Sequence, residues 1–563
     1  MDRGRVERFF PGVAAIRGYQ RAWLRSDVTA GVAVVALAIP AGMGYATAAG
    51  LPPVTGLYAT IVPLLAYAAF GPSRVLILGP DSSLAPMIAA AVLPLALGSP
   101  ERAVALAGTL AVLMGVMLIT GRVFRLGFVT GLLSQPIRVG YLNGVALVVI
   151  VSQVPVLLGL SVPGGSVWER LGQTARGITD GAADGLAASV GLGSLVVILL
   201  ARAVRSKVPG IVLAVVGSVT ATAVLGLADR LPVVGVLPQG LPAPALAGIQ
   251  PGDVLALLGP ALGIALIAFA DTGVLSRTLA GWHGYSVDGN QEMGALGVAN
   301  AASGLLGGFP VSASASRTPV AVQAGARSQL VGVVAAVLLI AFMLLAPGLP
   351  AYLPSSTLAA VVIAAAASFV DVSTLVRLAR MSRTETALLV AAFLGVAFIG
   401  VLEGIVVAIG LSLMAFVRQA WDPYRTELVS VDHIPGYHDV SRHPEGRRVP
   451  GLVIARFDAP LFFANGDVFD TYIRELVEHA PTPVHWVVVA AEPITGVDTT
   501  AIGELVELDD HLDRLGISLV FAEMKGPVKD RLVRYGMGSR FGPDHFFPTV
   551  HSAVKAYRRT TGP

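Results

Sequence analysis

The sequence predicts a polytopic α-helical membrane protein that ends in a small α/β domain. Three observations predict it. Of 563 residues, 54% are hydrophobic and 13% charged, with a mean hydropathy of +0.74, where a soluble globular chain carries about 25% charged residues. Apolar spans recur from residue 28 to residue 419. After about residue 425, charges and histidines return, and strand-like runs alternate with helix-like runs. The chain is therefore read as a cytoplasmic N-terminal segment 1–27, a transmembrane part 28–420, a linker 421–449 and a cytoplasmic α/β domain 450–563.

Arg3, Arg5, Arg8, Arg17, Arg21 and Arg25 crowd the first segment. It has no apolar core ending in a small-residue cleavage site, so it reads as a topology determinant and not as a signal peptide. Apolar spans follow at 28–46, 53–70, 80–97, 103–120, 132–158, 187–204, 208–227, 255–279, 291–306, 312–326, 328–347, 355–371, 384–400 and 402–419. Several are shorter than the ~20 residues a crossing needs. The short ones sit at Gly/Pro breaks, as half-helices that meet inside a membrane would. The purely basic loops hold Arg74 after span 2, Arg122 and Arg125 after span 4, Arg202, Arg205 and Lys207 after span 6, and Arg377, Arg380 and Arg383 after span 12; Arg418 ends span 14. All lie on the side of the N-terminus, which places both termini in the cytoplasm of a multi-pass plasma (inner) membrane protein. The spans are rich in Gly and Ala, as close helix packing in lipid requires, and Pro40, Pro63, Pro86 and Pro155 suggest kinks. Span 1 begins near residue 28 with a break near 80; span 8 begins near 255 with a break near 310. Seven spans per half is an odd number, so the two repeats are inverted.

In the last domain, Leu452–Phe457 and Trp486–Val489 read as buried strands and Ile517–Glu523 as a third. Val468–His479, Thr500–Leu515, Val528–Tyr535 and His551–Arg559 read as helices. This βαβα order implies a small α/β fold.

The two breaks carry the chemistry. Leu78-Gly79-Pro80-Asp81-Ser82-Ser83 and Gly308-Phe309-Pro310-Val311-Ser312-Ala313-Ser314-Ala315-Ser316-Arg317 each start an apolar segment. A helix that begins inside a membrane leaves its first N–H groups unpaired and turns a partial positive charge toward what lies ahead. Two such ends facing each other would bind an anion. Ser312, Ser314 and Ser316 alternate with alanines, and Ser312 and Ser316 would share a helix face; the three hydroxyls and free N–H groups would replace the water around an oxyanion, while close packing is the plainer use of small residues. Asp81 reads either as a helix cap or as a group that takes up a proton when the anion arrives. Arg317 would add positive potential or pair with Asp81 or Asp271. Asp271, near the middle of span 8, is a functional candidate because ionisable groups inside spans are expensive, whereas Glu403 falls near an interface. There is no cysteine, His283 and His551 are isolated, and no Walker A lysine motif occurs. Hence neither a metal site, a cofactor, an enzymatic constellation nor nucleic-acid binding is expected, and an ion gradient is the simplest driving force.

These residues also carry a resemblance. Asp27-Val28-Thr29-Ala30-Gly31 through Ile39-Pro40-Ala41-Gly42-Met43-Gly44-Tyr45-Ala46, then Ala49-Gly50-Leu51-Pro52-Pro53 and Gly56-Leu57-Tyr58, resemble the signature of the SulP sulfate-permease family (solute carrier family 26), in particular its actinobacterial members. Gly71-Pro72-Ser73-Arg74, Gly79-Pro80 and the run from Gly308-Phe309-Pro310 to Ser316-Arg317-Thr318 continue it, and the C-terminal part is similar to the STAS domain. The resemblance implies seven-plus-seven inverted repeats of UraA-like core and gate domains, elevator-like motion and a homodimer. It implies an anion site at Tyr45, Asp81, Ser82, Ser316 and Arg317, and cation coupling at Asp271. Family substrates include sulfate, bicarbonate, chloride and dicarboxylates. The family's common glutamine after the first Ile-Pro is Ala41 here, which removes a polar ligand. In the STAS-like part, Thr499 and Thr500 match a segment that some relatives phosphorylate or use for partner contact; packing or capping is the plainer role.

The expectation is a secondary-active anion transporter, first of sulfate with a proton. The alternatives are sodium-coupled bicarbonate or dicarboxylate transport, with sodium on Asp271 and Thr272, and a membrane-bound sensor whose output is the STAS domain.

Overall fold

The computed structural model describes residues 11–12, 19–131, 134–162, 166–204, 206, 208–238, 240–241 and 243–561. Arg3, Arg5, Arg8 and Arg17 of the basic N-terminal cluster, Arg205 and Lys207 of the loop after span 6, and the side chain of His283 lie outside the described residues. The chain forms two compact units, Met1–Ser412 and Leu413–Pro563.

The first unit is helical. Its elements are α1 (Leu24–Ala48), α2 (Pro53–Phe70), β1 (Leu78–Gly79), α3 (Ala85–Ala96), α4 (Pro100–Val123), α5 (Gln135–Leu157), α6 (Val167–Thr179), α7 (Gly185–Ala203) and α8 (Gly210–Val224). The second half supplies α9 (Pro251–His283), α10 (Gly289–Leu305), β2 (Ser312–Ala313), α11 (Arg317–Gln323), α12 (Leu330–Leu345), α13 (Ser355–Ala367), α14 (Val372–Met381), α15 (Arg383–Leu394) and α16 (Val401–Trp421), whose C-terminal part runs into the second unit. Among the described residues eight helical segments are long and apolar enough to cross a membrane, and α3, α8 and α12 are shorter apolar helices. Local chemistry starts several of them. Ser99 accepts a hydrogen bond from the Arg102 amide ahead of Pro100 at N1 of α4, and Asp184 caps α7.

The helices pack into two bundles, α1–α4 with α9–α12, and α5, α7 and α8 with α13 and α15. The pairings are symmetric under exchange of the halves. α1 packs on α12 as α9 packs on α4; α2 packs on α12 as α10 packs on α4; α5 packs on α15 as α13 packs on α7. The short β1–β2 ladder is its own counterpart, antiparallel, with Leu78 opposite Ala313 and Gly79 opposite Ser312. This is the inverted repeat expected from the span count. Glycines set the closest crossings. A Cβ on Gly304 of α10 would stand 2.1 Å from the Gly108 carbonyl of α4, and one on Gly56 of α2 would stand 1.9 Å from that of Gly42; without side chains the backbones touch directly.

Three expectations need correction. Residues 312–326 are not one helix: Ser312 and Ala313 are extended, 314–316 turn, and the helix starts at Arg317. Ser312 and Ser316 therefore share no helix face, because the β1–β2 pairing takes Ser312 first. The stretches 159–186 and 372–383, left between predicted spans, contain helices α6 and α14, at equivalent places in the two halves. Both are amphipathic and too polar to read as spans. Ser166 and Glu169 form a capping box on α6, and Asp371 caps α14.

The linker 421–449 is the third. It holds β3 (Arg425–Val431) and β4 (Ile434–Asp439), which join the sheet of the second unit in the order β4-β3-β5-β6-β7-β8. β5 (Leu452–Phe457), β6 (Trp486–Ala490), β7 (Ser518–Ala522) and β8 (Phe546–Phe547) are parallel, while β3 lies antiparallel to β4 and β5. β4 is short, exposed and carries Pro and Gly, so nothing in its pattern announced a strand. Strand alternation divides the core. Val453, Phe457, Val487 and Val489 face α17 (Gly466–Glu478) and α18 (Thr499–Arg514); Ile454, Val488 and Val520 face α20 (Val550–Thr561); α19 (Gly526–Arg534) follows β7. Asp439 ends β4. Hydrogen bonds from Thr426, first, and from Tyr424 and Ser441 hold its carboxyl well below the usual carboxylate range.

Candidate functional site

The site is built where the two broken segments cross. Their non-helical backbone must find partners inside the protein, since lipid offers none. The Gln329 side chain donates to the carbonyls of Ser73 (2.8 Å) and Leu76 (2.9 Å). Asn300 accepts from the Val311 amide at 2.8 Å and donates to its carbonyl at 3.1 Å. Thr318 Oγ1 accepts from the Ile77 amide at 3.2 Å, and Thr272 Oγ1 from the Ala313 amide at 3.1 Å. Thr272 of α9, Asn300 of α10, Thr318 of α11 and Gln329, the N-cap of α12, thus hold this backbone in place.

Arg317 opens α11 and is 1% exposed. Its amide and its Nε both donate to Ser314 Oγ, at 3.1 and 2.9 Å. Its Nη2 donates to the Pro80 carbonyl in the other half, while Nη1 has no partner among the described residues. Gly79 makes room for it: a Cβ there would lie 2.9 Å from both terminal guanidinium nitrogens, and its φ of +155° suits glycine. Asp81 is buried. Its Oδ1 accepts from the amide of Ser83 at 2.9 Å and the hydroxyl at 2.8 Å, which closes the turn that leads into α3. Asp81 does not cap the helix itself, since the N-cap of α3 is Leu84, which has no side-chain cap bond. Asp81 and Arg317 form no direct ion pair among the described residues, but each feels the other's charge, and Tyr45 of α1 feels both.

The formal charges of the site cancel, and what remains is a surplus of donors. Among the described residues Arg317 Nη1 and the buried Ser312 Oγ have no partner. Among the described residues the amides of Ser82, Ala315 and Ser316 donate no hydrogen bond. Ser316 Oγ meets only Ser314 Oγ, at 3.3 Å. Unused N–H groups and hydroxyls around a buried guanidinium suit a ligand made of acceptors. The structure thus brings together Tyr45, Asp81, Ser82, Ser312, Ser314, Ser316 and Arg317. Ala41, buried on α1, adds no polar group.

Asp271 lies on α9, next to Thr272, which holds β2. Its carboxylate accepts no hydrogen bond among the described residues. It faces a cavity lined by Arg138, Tyr141, Leu142, Ile267, Ala270 and Ala408. Glu403 is exposed in the first turn of α16. Thr499 and Thr500 belong to the second unit, exposed at the first two positions of α18. The cap of that helix is Asp498, which accepts from the Ala501 and Phe463 amides, both at 2.8 Å.

Sequence reasoning missed Glu292, 1% exposed near the start of α10. Tyr67 donates to its Oε1, and Ser276 (2.9 Å) and Ser73 (3.2 Å) donate to its Oε2. The rule that singled out Asp271 applies equally to an acid at the second residue of span 291–306.

Comparisons with known proteins agree with this architecture. Residues 24–392 match the sulfate permease family and residues 443–553 the STAS domain. Two Mycobacterium tuberculosis proteins named probable sulfate transporters are 40% identical over 550 residues, 98% of this chain and of each of them. Sulfate transporter 4.1 of the Arabidopsis thaliana chloroplast is 28% identical over 98% of this chain and 82% of its own length. The murine solute carrier 26 member A9 anion transporter, in an inward-facing state, superposes with a TM-score of 0.91 at 22% identity, over 99% of this chain and 95% of that one. The transmembrane domain of a cyanobacterial bicarbonate transporter, BicA, superposes with a TM-score of 0.61 at 22% identity, over 70% of this chain and 98% of that one.

Proposed function

The chain belongs to the sulfate permease family, a family of anion transporters and not of enzymes, and we propose that it takes up sulfate together with a proton. The observation that carries this reading is the surplus of unused donors at the β1–β2 crossing. Sulfate accepts hydrogen bonds through every oxygen and donates none. Arg317 Nη1, the free amides and the hydroxyls of Tyr45, Ser82, Ser312 and Ser316 replace its water shell. Ser314 positions the guanidinium. A dianion adds negative charge beside Asp81 and Asp271, so a proton on Asp271 would offset it. The anion-bearing bundle α1–α4 and α9–α12 would move as one body past the other bundle, in an elevator-like cycle. The protein would act as a homodimer in the plasma membrane with both termini cytoplasmic, and Thr499 and Thr500 would serve as regulatory contacts.

The test is uptake of radiolabelled sulfate into proteoliposomes at several outside pH values. Uptake should rise as outside pH falls, and Asp271→Asn should lose that response. A pH response retained in the variant rejects the coupling role.

A second reading keeps the site but changes its cargo to bicarbonate, with sodium on Asp271 and Thr272. Ala41 favours it, because a small planar anion needs fewer ligands than sulfate. Sulfate uptake that is indifferent to pH, beside bicarbonate uptake abolished when choline replaces sodium, would select it.

A further inference from the structure

Among the described residues Asp271 shares its cavity with one other charged group. The walls come from α5 (Arg138, Tyr141 and Leu142), α9 (Ile267, Ala270 and Asp271) and α16 (Ala408). α9 packs in the first bundle and α5 in the second, so the cavity lies between the bundles. Neither charge is satisfied locally. Among the described residues no hydrogen bond or ion pair within 4 Å reaches the Asp271 carboxylate or the Arg138 guanidinium. The Tyr141 hydroxyl is engaged with Met87 Sδ at 3.0 Å. Two bare, opposite charges on facing helices stand in each other's field, and a membrane protein keeps such groups only where they serve one another or a passing ion.

We infer that Arg138 is the counter-charge of Asp271, carried on the opposite bundle, and that it makes movement of α9 past α5 depend on whether Asp271 is charged. This rests on the coupling role proposed above for Asp271. The charged or titratable groups that reach Asp271 are Asp81 at the start of the α3 turn, and Arg138 and Tyr141 on α5. α4, α10 and β2 bring no further charge to bear on it among the described residues. With Asp271 ionised, attraction across the cavity resists sliding of the bundles. A proton from the outer solution, adding to the carboxylate, removes that attraction. The bundle that carries the anion is then released only with its proton aboard, which suppresses movement of sulfate alone.

The experiment uses the full-length protein in lipid nanodiscs and follows the infrared carboxyl band that Asp271→Asn removes. Loss of a nearby cation should let Asp271 keep its proton to higher pH. Arg138→Gln and Arg138→Met should each move the titration midpoint alkaline by about one pH unit, while Arg138→Lys should leave it close to the parent value. Two neutral variants are included so that one failure to fold does not decide the matter. Midpoints unchanged in the neutral variants overturn the inference. In proteoliposomes the pH profile of sulfate uptake should move with the midpoint. A shifted midpoint with an unshifted uptake profile leaves the charge pair standing but refutes its control of movement. Loss of the uptake response in none of the variants, Asp271→Asn included, refutes the coupling role itself.

Discussion

Replacing Gly79 by alanine tests the crossing without touching any charge. The new Cβ would stand 2.9 Å from Arg317 Nη1 and Nη2, closer than carbon and nitrogen tolerate, so the guanidinium must shift. The φ of +155° is also poor for any residue with a Cβ, at a cost of about 1–3 kcal/mol. Displacing the guanidinium breaks its bond to the Pro80 carbonyl, and a hydrogen bond from a charged group is worth about 1.5–3 kcal/mol. Together these sum to about 2.5–6 kcal/mol. The part that falls on the proposed anion site would appear as weaker binding, and 1.4 kcal/mol is tenfold, so on the proposed function KM for sulfate should rise roughly tenfold to a hundredfold. Gly98→Ala is the control. Its φ is +83°, but nothing lies within 4 Å of the added atom, so it should lose about 1–3 kcal/mol of stability with KM unchanged. The assay pairs thermal unfolding in detergent with concentration-dependent uptake. If Gly79→Ala and Gly98→Ala lose equal stability and both keep the parent KM, Gly79 does not position Arg317 and the account of the crossing is wrong.

Other outcomes follow from the same geometry. Ser314→Ala strips the acceptor from Arg317 Nε and from its amide; it should weaken sulfate uptake, and Arg317→Lys should weaken it further, since an ammonium cannot reach Pro80 and the anion through one rigid fork. Glu292→Ala leaves the hydroxyls of Tyr67, Ser73 and Ser276 without their shared acceptor; thermal unfolding should show a loss of about 3 kcal/mol or more, and Glu292→Gln a smaller one. In the second unit Asp439→Asn should destabilise the protein most at neutral pH and by less in acid. The folded-state carboxyl is held below its unfolded value, so its contribution is full above about pH 4 and fades as pH falls through the folded value; an equal effect of the variant at pH 7 and pH 3 would exclude this.

What the residues announced on their own was whatever depends on local composition. The long apolar spans were legible because a crossing segment must be apolar along its own length. Half-helices were legible at Pro80 and Pro310 because the chain is punctuated there, and the STAS core strands because Val453, Val487 and Val489 sit in short apolar runs. Tertiary structure decided the rest. β1 and β2 are two residues each, from positions more than two hundred apart, and no local pattern specifies a pairing that short; it turned the supposed helix face of Ser312 and Ser316 into a strand and a turn. β4 was hidden because it is exposed and broken by Pro and Gly, and is a strand only because β3 lies beside it. Glu292 was legible as an acid, yet only packing shows that three hydroxyls enclose it. Arg138 was not singled out in the sequence, and only the cavity between α5 and α9 sets it opposite Asp271. Segments declare their solvent by composition, whereas the partner of a charge is chosen by the fold that brings distant helices together.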